Sequence, residues 1–464
     1  MVNPKKYWLL FLPIFAFSLF LYLPSLNYYF FQDDWFVLNW VRTGSISTFF
    51  DFRTDIIYWR PFSMPILFAL AKSLFSLNYQ AFHALAFLIF LMLSVVVYNL
   101  FLALNCDRKQ AIIASFMYTI WSIHYVPLSW FSTTSYILGP LFQCLSFIFF
   151  AKGKRAMCYL FFIVGLMSSE FTVVLPVIFL AWSILFKKKY FSFIFPMLLV
   201  DAVYFWLRFV LFPVPAFGTY TPVFNFQLIN NFTWYVLWAI GLPESFKSMI
   251  FPNLPAQSLK VITHFWPITI PAGFIGILIA HQVLTHLKKR LPNYIFGISW
   301  FIFGLLPVIT ITNHSYPMYL SFAGIGFIYI VLSAFKNSKM LALSSLIVFW
   351  AITSITNLQF TRTNHWVRNE QAISKAYIDE TLKKVREPQQ NSAFIFKSAN
   401  ITFSNNHNFT LVIGENNVGQ ALNSNDAVQV IYRDSSLNSV FLSDQQNIDL
   451  PKDINIIEVL PRED

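Results

Sequence analysis

The sequence predicts an all-α polytopic membrane protein that ends in a small β-rich domain. Of the 464 residues, 57% are hydrophobic and only 11% are charged, whereas soluble domains carry roughly 25% charged residues. The mean hydropathy of +0.58 agrees with this composition. Most Lys and Arg residues stand in short clusters between apolar runs, as in the cytoplasmic loops of membrane proteins. Membrane topology therefore explains the net charge of +11, and we expect no nucleic-acid partner.

About eleven apolar runs approach the length of a membrane-spanning helix, which is about 20 residues. The predicted spans are 7–26, 79–104, 110–125, 133–151, 156–168, 171–186, 190–212, 265–286, 294–311, 318–335 and 340–358. With the N-terminus in the cytoplasm, the strong basic clusters between spans share one side and the C-terminus lies outside the cell. Residues 1–358 thus form the membrane domain of a multi-pass plasma-membrane protein. The short apolar stretch 62–77 is predicted to lie in the outer leaflet, with a full crossing as the alternative.

The composition changes after the last predicted span. Residues 359–387 predict a surface helix with mixed charge, and residues 388–464 predict a small β-rich extracytoplasmic domain. Its predicted strands are 393–396, 410–413, 428–432, 440–442 and 454–459, separated by turns rich in Asn, Ser and Asp. The three cysteines are far apart and form no CxxC pair, so no zinc site or disulfide framework is expected.

Two adjacent carboxylates, Asp33 and Asp34, follow the first predicted span in an external loop of residues 27–78. Tyr and Trp flank them, and these aromatics prefer the membrane–water interface. A carboxylate at this surface can act as a general base on an acceptor hydroxyl, ligate a divalent metal, or cap the helix expected near Trp35. We favour catalysis for the pair and keep helix capping as the alternative.

Other polar residues fall at the predicted outer surface. Arg60 is suited to bind a phosphate group, or to reach lipid headgroups as a structural residue. His124, Glu170 and His314 stand at the outer ends of spans, where they could line a cleft with the Asp pair or make only local contacts. Arg208 lies two turns beyond Asp201 in one span, and the two could form a structural pair.

Several short motifs, in a fixed order, resemble those of a membrane glycosyltransferase family, the GT-C class. The likeness is to the bacterial relatives of protein O-mannosyltransferases and of the TPR-containing transmembrane O-mannosyltransferases, and it covers about residues 7–385. The motifs are Phe31-Gln32-Asp33-Asp34-Trp35, Tyr58-Trp59-Arg60-Pro61, His124 with Trp130-Phe131-Ser132, Ser168-Ser169-Glu170, Leu207-Arg208-Phe209, Tyr316-Pro317-Met318-Tyr319 and Asn364-His365-Trp366. The sequence departs from the family pattern at Val126, Ser169 and His314-Ser315.

The resemblance implies transfer of a sugar from a polyprenyl-phosphate donor to an acceptor hydroxyl of a protein, lipid or glycan, on the extracytoplasmic side. Asp33 and Asp34 would be the base and its partner. The substrate-binding residues would be Arg60, His124, Glu170, Arg208, His314 and Tyr316. No cofactor is implied, although a divalent metal remains an option for the carboxylates.

Three other functions are alternatives. A transporter or lipid flippase usually has inverted repeats and ionisable groups near mid-membrane, but the sequence shows no repeat and places only Asp201 at that depth. A cell-envelope polysaccharide polymerase or ligase would use related chemistry, with its charged loop expected late in the chain. A non-catalytic scaffold for the C-terminal domain would tolerate changes at Asp33 and Asp34.

Overall fold

The computed structural model describes residues 9, 11–186, 191–213, 218–250, 256–397, 399–403, 409–413, 415–442 and 455–461. Helices dominate these residues, and the described strands all follow residue 392. The helices of the first half are α1 (Leu12–Tyr22), α2 (Asp33–Thr43), α3 (Leu67–Phe75), α4 (Tyr79–Ala103), α5 (Arg108–Ile120), α6 (Tyr125–Ser129), α7 (Ser135–Ala151), α8 (Arg155–Leu166) and α9 (Leu175–Leu185). The helix expected near Trp35 corresponds to α2, and the apolar stretch 62–77 contains α3.

The second half contains the longest helix and the C-terminal strands. Its helices are α10 (Phe191–Trp206), α11 (Gln227–Ala239), α12 (Phe246–Ile250), α13 (Ala256–His264), α14 (Trp266–Ile309), α15 (Leu320–Phe335), α16 (Met340–Asn364), α17 (Trp366–Lys384), α18 (Glu415–Ala421) and α19 (Asp426–Tyr432). The strands are β1 (Ala393–Lys397), β2 (Ala399–Phe403), β3 (Phe409–Ile413), β4 (Asn438–Leu442) and β5 (Ile456–Val459).

Six described helical segments are long and apolar enough to cross a membrane, or seven if one bent pair counts as a single span. The bent pair joins Arg108–Ile120 to Ser122–Ser129 at 47°. The predicted spans 7–26, 156–168 and 171–186 correspond to apolar helices of fewer than 18 residues. The basic residues 5, 6 and 187–189, used to orient the chain, lie outside the described residues.

The predicted spans 265–286 and 294–311 form one helical run, α14, of 44 residues. The backbone leaves helical geometry at Arg290, the end of the Lys288-Lys289-Arg290 cluster. Pro292 follows two residues later, and proline disfavours helical geometry in the residue before it and removes a helical N–H. The run thus consists of two helices that meet at a kink in this cluster, at the position between the two predicted spans.

Helices α14 and α15 approach closely through glycines. A Cβ atom on Gly326 would lie 2.7 Å from the Gly297 carbonyl oxygen, and one on Gly304 would lie 2.7 Å from the Ala323 Cα. In lipid, apolar burial gives helices little driving force to associate, and small residues instead allow their backbones to pack tightly. The pair of helices forms a rigid wall of the membrane domain.

The C-terminal region has mixed α/β structure. Strand β1 pairs in parallel with both β4 and β5, while β2 and β3 form a separate antiparallel pair. Parallel strands need a crossover connection, and α18 and α19 lie in the one between β1 and β4. The predicted strand 428–432 is therefore wrong: it belongs to α19, which buries Ala427, Val428 and Val430. Tertiary packing overrides the β-propensity of its valines and isoleucine.

The predicted surface helix of residues 359–387 also differs from the structure. Helix α16 continues to Asn364, and α17 begins at Trp366 after His365, whose imidazole accepts the Val367 N–H at 3.3 Å. The Ser374 hydroxyl of α17 accepts the Trp35 indole N–H of α2 at 2.9 Å. Tyr377 is fully buried and contacts Phe396 of β1. Helix α17 is thus packed between the membrane domain and the C-terminal sheet.

Candidate functional site

A cavity of about 1160 Å³ lies where the loop of the Asp pair meets the ends of several long helices. Its ionisable and polar lining includes Asp33, Tyr58, Arg60, Tyr136, Glu170, Arg208, Tyr220, Glu244, His314, Tyr316, Tyr319 and Glu370. Six of the eight predicted site residues are in this lining. Asp34 and His124 are not.

The two aspartates open helix α2 and have different surroundings. The preceding Gln32 has a positive φ of 48°, a conformation that costs a non-glycine residue about 1–3 kcal/mol. Its N–H donates to the Ala421 carbonyl at 2.9 Å, so the C-terminal region helps to fix this turn. Both carboxylates lie in the first turn of α2, where the helix dipole favours negative charge.

Asp34 points away from the cavity into the protein. It is fully buried, and its Oδ1 accepts the Ser132 N–H at 2.8 Å and the Ser132 hydroxyl at 2.6 Å. Burial raises the pKa of Asp34 to about 7, although the Ser132 hydrogen bonds oppose the shift. Asp34 therefore anchors the α2 turn to the loop after α6.

Asp33 lines the cavity and accepts the Tyr58 hydroxyl at 3.2 Å. Burial raises its pKa, while the Tyr58 hydrogen bond and the charge of Arg60 act in the opposite direction. A carboxylate with a raised pKa is a stronger base than a carboxylate in water. The cavity beside Asp33 also leaves room for a substrate.

Arg60 and Glu170 form a two-pronged ion pair at the cavity wall. Arg60 Nε donates to Glu170 Oε2 at 2.7 Å, and Nη2 donates to Oε1 at 2.5 Å. Arg60 also donates to the Ser135 hydroxyl at 3.0 Å and the Tyr136 hydroxyl at 3.1 Å. These bonds hold the guanidinium in place two residues after Tyr58, the residue that donates a hydrogen bond to Asp33.

Arg208 lies on the same wall, in the π-helical stretch Leu207–Leu211 that follows α10. It donates to the Arg53 carbonyl at 2.7 Å and also to the Ile56 carbonyl. Its Nε has no hydrogen-bond partner among the described residues. Within the described residues Arg208 does not pair with Asp201, whose Oδ1 has no hydrogen-bond partner there. Arg208 instead ties the loop before Tyr58 to the end of α10.

His314 and Tyr316 close the cavity from the loop between α14 and α15. The His314 ring lies 4.1 Å from the Tyr220 ring and 4.8 Å from the Tyr316 ring, between centroids. Burial lowers the pKa of His314 to about 4, with the Arg60 charge acting in the same direction. The imidazole is therefore neutral at physiological pH and can serve as a hydrogen-bonding group.

His124 lies in the core instead of the cavity. Its side chain is fully buried, with ring centroids 4.8 Å from Phe90 and 4.6 Å from Tyr118. The chain bends between α5 and α6 at this point, which turns the imidazole inward. The expectation that His124 shares a cleft with the Asp pair is not met by this placement.

Several cavity residues were not singled out from the sequence. Tyr136, Tyr220, Glu244 and Glu370 come from four separate parts of the chain and have no shared local pattern. Glu244 pairs with the His365 imidazole at 3.1 Å and accepts the Trp366 indole N–H at 3.1 Å. The motif Asn364-His365-Trp366 is the sequence signal that relates to Glu244, because its His365 and Trp366 side chains hold the Glu244 carboxylate in place.

Part of the cavity lining is apolar. Val173, Val174 and Val177 belong to it from the α9 side, and Phe303 and Leu306 from α14. Phe205 and Phe209, on the α10 side, also line it and are 42% and 63% exposed. We call this part the apolar limb. Its members on the α10 side and on α14 lie in two of the helical segments that are long and apolar enough to cross a membrane.

No group of three or more His, Cys, Asp or Glu side chains in the described part of the chain is arranged to hold a metal ion. Three of the four acids in the cavity lining contact side chains of the protein: Tyr58 for Asp33, Arg60 for Glu170, and His365 and Trp366 for Glu244.

No protein-family model matches the chain, and no curated protein matches it. Among solved structures it is similar to the oligosaccharyltransferase of Archaeoglobus fulgidus in the apo form, with 13% identity and a TM-score of 0.49 over 84% of this chain and 62% of that chain. It is also similar to the same organism's AglB in complex with an inhibitory peptide and a dolichol-phosphate, with 12% identity and a TM-score of 0.46 over 84% and 62% of the two chains.

A third structure, the Archaeoglobus fulgidus enzyme in complex with Zn and sulfate, gives 13% identity and a TM-score of 0.46 over 83% of this chain and 60% of that chain. The chain thus spans about three fifths of the length of these structures. A likeness of this degree carries no conclusion about activity, which has to be argued from the cavity itself.

Proposed function

We propose that the protein is an integral membrane glycosyltransferase. It would move a sugar from a polyprenyl-phosphate donor to an acceptor hydroxyl on the extracytoplasmic face, with Asp33 as the general base. The observation that carries the proposal is one cavity whose lining combines a buried carboxylate and two arginines with an apolar limb, part of which is exposed on candidate membrane spans.

The apolar limb suits the polyprenyl tail of the donor. A long hydrocarbon chain is stable in lipid and leaves it only for a surface that is equally apolar. The limb provides such a surface through valine, phenylalanine and leucine side chains, and its exposed members Phe205 and Phe209 mark an entrance from the bilayer. A donor could therefore place its headgroup in the cavity while its tail stays in the membrane.

The phosphate of the donor becomes the leaving group and needs positive charge beside it. Arg208 lines the cavity with its Nε free of hydrogen-bond partners among the described residues, and guanidinium groups bind phosphate well. Arg60 adds a second charge but shares it with Glu170. The neutral His314 and the hydroxyl of Tyr316 are available as further hydrogen-bonding groups on this wall.

The reaction requires one base. Asp33 would take the proton of the acceptor hydroxyl as its oxygen attacks the anomeric carbon, and the bond to the phosphate oxygen would break in the same step. A single displacement of this kind inverts the anomeric centre and needs no second carboxylate as nucleophile. Asp34 would act as the supporting partner, since its bonds to Ser132 fix the turn that presents Asp33.

The test is sugar transfer by the purified protein in liposomes. Radiolabelled polyprenyl-phosphate sugars with long and short chains serve as donors, and nucleotide sugars serve as the comparison. We expect transfer from the lipid-linked donors only, with a lower KM for the long chain. Translocation of a lipid-linked sugar across the bilayer without any transfer would favour a flippase and overturn the proposal.

A variant tests the role of the apolar limb. Val177→Phe adds bulk to the limb and should raise KM for the long-chain donor while leaving the short-chain donor less affected. Ile184→Phe is the matched control, because Ile184 is on the same helix, 59% exposed and absent from the cavity lining. Equal KM values for both variants and the wild type would remove the limb from donor binding.

A further inference from the structure

One corner of the cavity, next to Asp33, carries buried polar groups whose hydrogen bonds to the protein are incomplete. Trp130 Nε1 makes no hydrogen bond to any described residue. The Glu370 carboxyl has the Gln32 side chain as its hydrogen-bonding neighbour, and Gln32, Trp130 and Glu370 all line the cavity. Trp130 is 9% exposed and Glu370 is 7% exposed. Because buried polar groups in native proteins are nearly always paired, an unpaired indole N–H beside a carboxylate in a cavity wall indicates contact with a bound molecule.

These groups belong to one cluster. The Trp130 ring stacks on the ring of Phe31, the residue before Gln32, at a centroid distance of 5.3 Å. The Gln32 side chain in turn lies beside the Glu370 carboxyl. Trp366, one helical turn before Glu370 on α17, places its ring 5.4 Å from that of Trp130. We call Gln32, Trp130, Trp366 and Glu370 the tryptophan corner.

These polar groups define what could bind in the tryptophan corner. A carboxylate oxygen only accepts hydrogen bonds, whereas an indole N–H and an amide NH₂ donate them. The Gln32 side chain already faces Glu370, so the ligand must donate to the remaining lone pairs of the Glu370 carboxyl and accept from the Trp130 N–H within a small space. Hydroxyl groups do both, and a ring that carries several of them offers donors and acceptors on adjacent atoms.

The aromatic surface points to the same chemistry. Trp130 and Trp366 both line the cavity, and the indole ring joins a broad apolar face to a polar N–H. A pyranose ring has an apolar C–H face as well as its hydroxyl edge, so it can use both kinds of contact. An extended peptide instead alternates its N–H and C=O groups along a strand and fits an enclosed corner less well.

We propose that the tryptophan corner is an acceptor subsite that binds a saccharide. The hydroxyl presented to Asp33 would then belong to a glycan, an assignment of the acceptor that rests on the proposed glycosyltransferase activity. Binding of the saccharide itself does not depend on catalysis, which allows the two to be tested apart.

The test is calorimetric titration of the full-length protein in nanodiscs, without donor, with a panel of methyl hexosides and a blocked serine-containing hexapeptide. Glu370→Gln removes the carboxylate charge and should weaken hexoside binding about ten-fold, as expected for one charge-assisted hydrogen bond. Trp130→Phe keeps an aromatic ring but loses the N–H, and should weaken it about five-fold.

Two controls match these variants. Glu380→Gln changes an acid on the same helix, and Trp238→Phe removes another indole N–H without a described partner; neither residue lines the cavity. Both controls should bind hexosides within about two-fold of the wild type. Melting temperatures of all variants are recorded so that loss of fold is separated from loss of binding.

The outcomes separate this inference from the proposed function. Unchanged hexoside affinity in Glu370→Gln and Trp130→Phe, binding of the peptide alone, or no binding of any probe would overturn the saccharide subsite. Sugar transfer to the peptide in the liposome assay would then leave the proposed function standing. Hexoside binding that both variants weaken, in a protein that transfers no sugar, would support the subsite and overturn the proposed function.

Discussion

The ion pair between Arg60 and Glu170 offers the sharpest prediction about stability near the site. Glu170→Gln keeps the shape of the side chain but removes its charge. Arg60 would retain its hydrogen bonds to Ser135 and Tyr136, at 3.0 and 3.1 Å, but lose the carboxylate that binds its Nε and Nη2. A guanidinium that is only 7% exposed would then be without its counter-charge.

The cost follows from this geometry. Removing one partner of a buried ion pair costs about 3–5 kcal/mol, because the remaining charge stays buried. The Glu170 side chain is 27% exposed, so water already weakens the pair and can solvate part of the loss. We therefore expect the lower end of the range, a decrease of about 3 kcal/mol in the free energy of unfolding.

The assay is unfolding in mixed micelles with increasing SDS, followed by circular dichroism. Asp55→Asn is the matched control, since it breaks an ion pair with Arg53 in which the Asp55 side chain is 58% exposed. An exposed pair contributes about 0–1 kcal/mol, so this variant should lose less than about 1 kcal/mol. A Glu170→Gln variant no less stable than Asp55→Asn would refute the buried, charge-paired geometry.

Two further predictions use the same assay. Ser132→Ala removes the hydroxyl that donates to Asp34 at 2.6 Å but keeps the N–H donor at 2.8 Å. Since the pKa of Asp34 is about 7, its carboxylate is charged at pH 8 and protonated at pH 5. The variant should therefore lose about 2 kcal/mol in the free energy of unfolding at pH 8 and about 1 kcal/mol at pH 5. Equal losses at the two pH values would contradict the raised pKa. Gly326→Ala places a Cβ 2.7 Å from the Gly297 carbonyl and should cost about 2 kcal/mol or more. Gly273→Ala is the control, because no atom beyond its own stretch of helix backbone lies within 4 Å of the added Cβ. This variant should be neutral or stabilising by up to about 1 kcal/mol. Equal effects of the two variants would argue against the close packing of α14 and α15.

The raised pKa of Asp34 also sets the sign of a pH effect in the wild-type protein. A folded-state pKa of about 7, against the ordinary 3.8, means that the folded state holds a proton that the unfolded state has released between these pH values. The contribution of Asp34 to stability therefore falls as the pH rises from about 4 to about 7.

Much of the helical architecture could be predicted from the sequence because it depends on local composition. Long apolar runs predict helices whatever they pack against, and the described helices α4, α7 and α15 follow such runs closely. The helical start at Asp33 and the strand β1 also carry local signals. In the α14 run, the basic cluster correctly indicates where one helix gives way to the next, but the sequence does not show that the two helices meet at a kink without a loop.

The roles of the two aspartates could not be separated in the sequence. They are adjacent and chemically identical, and their difference comes from Ser132, 98 positions away from Asp34 in the chain. The Arg60–Glu170 pair joins residues 110 positions apart. The inward turn of His124 and the helical state of residues 428–432 likewise result from tertiary packing, which a local pattern does not encode.

The measurement that tests the central claim most directly is the initial rate of sugar transfer from a long-chain polyprenyl-phosphate donor by Asp33→Asn. Asp51→Asn is the matched control, an exposed aspartate in the same loop that does not line the cavity. Loss of a general base typically slows a reaction about 10²- to 10⁴-fold, so Asp33→Asn should lose at least about 100-fold in kcat at unchanged protein level, while Asp51→Asn keeps the wild-type rate. Equal rates for Asp33→Asn and the wild type would contradict the account.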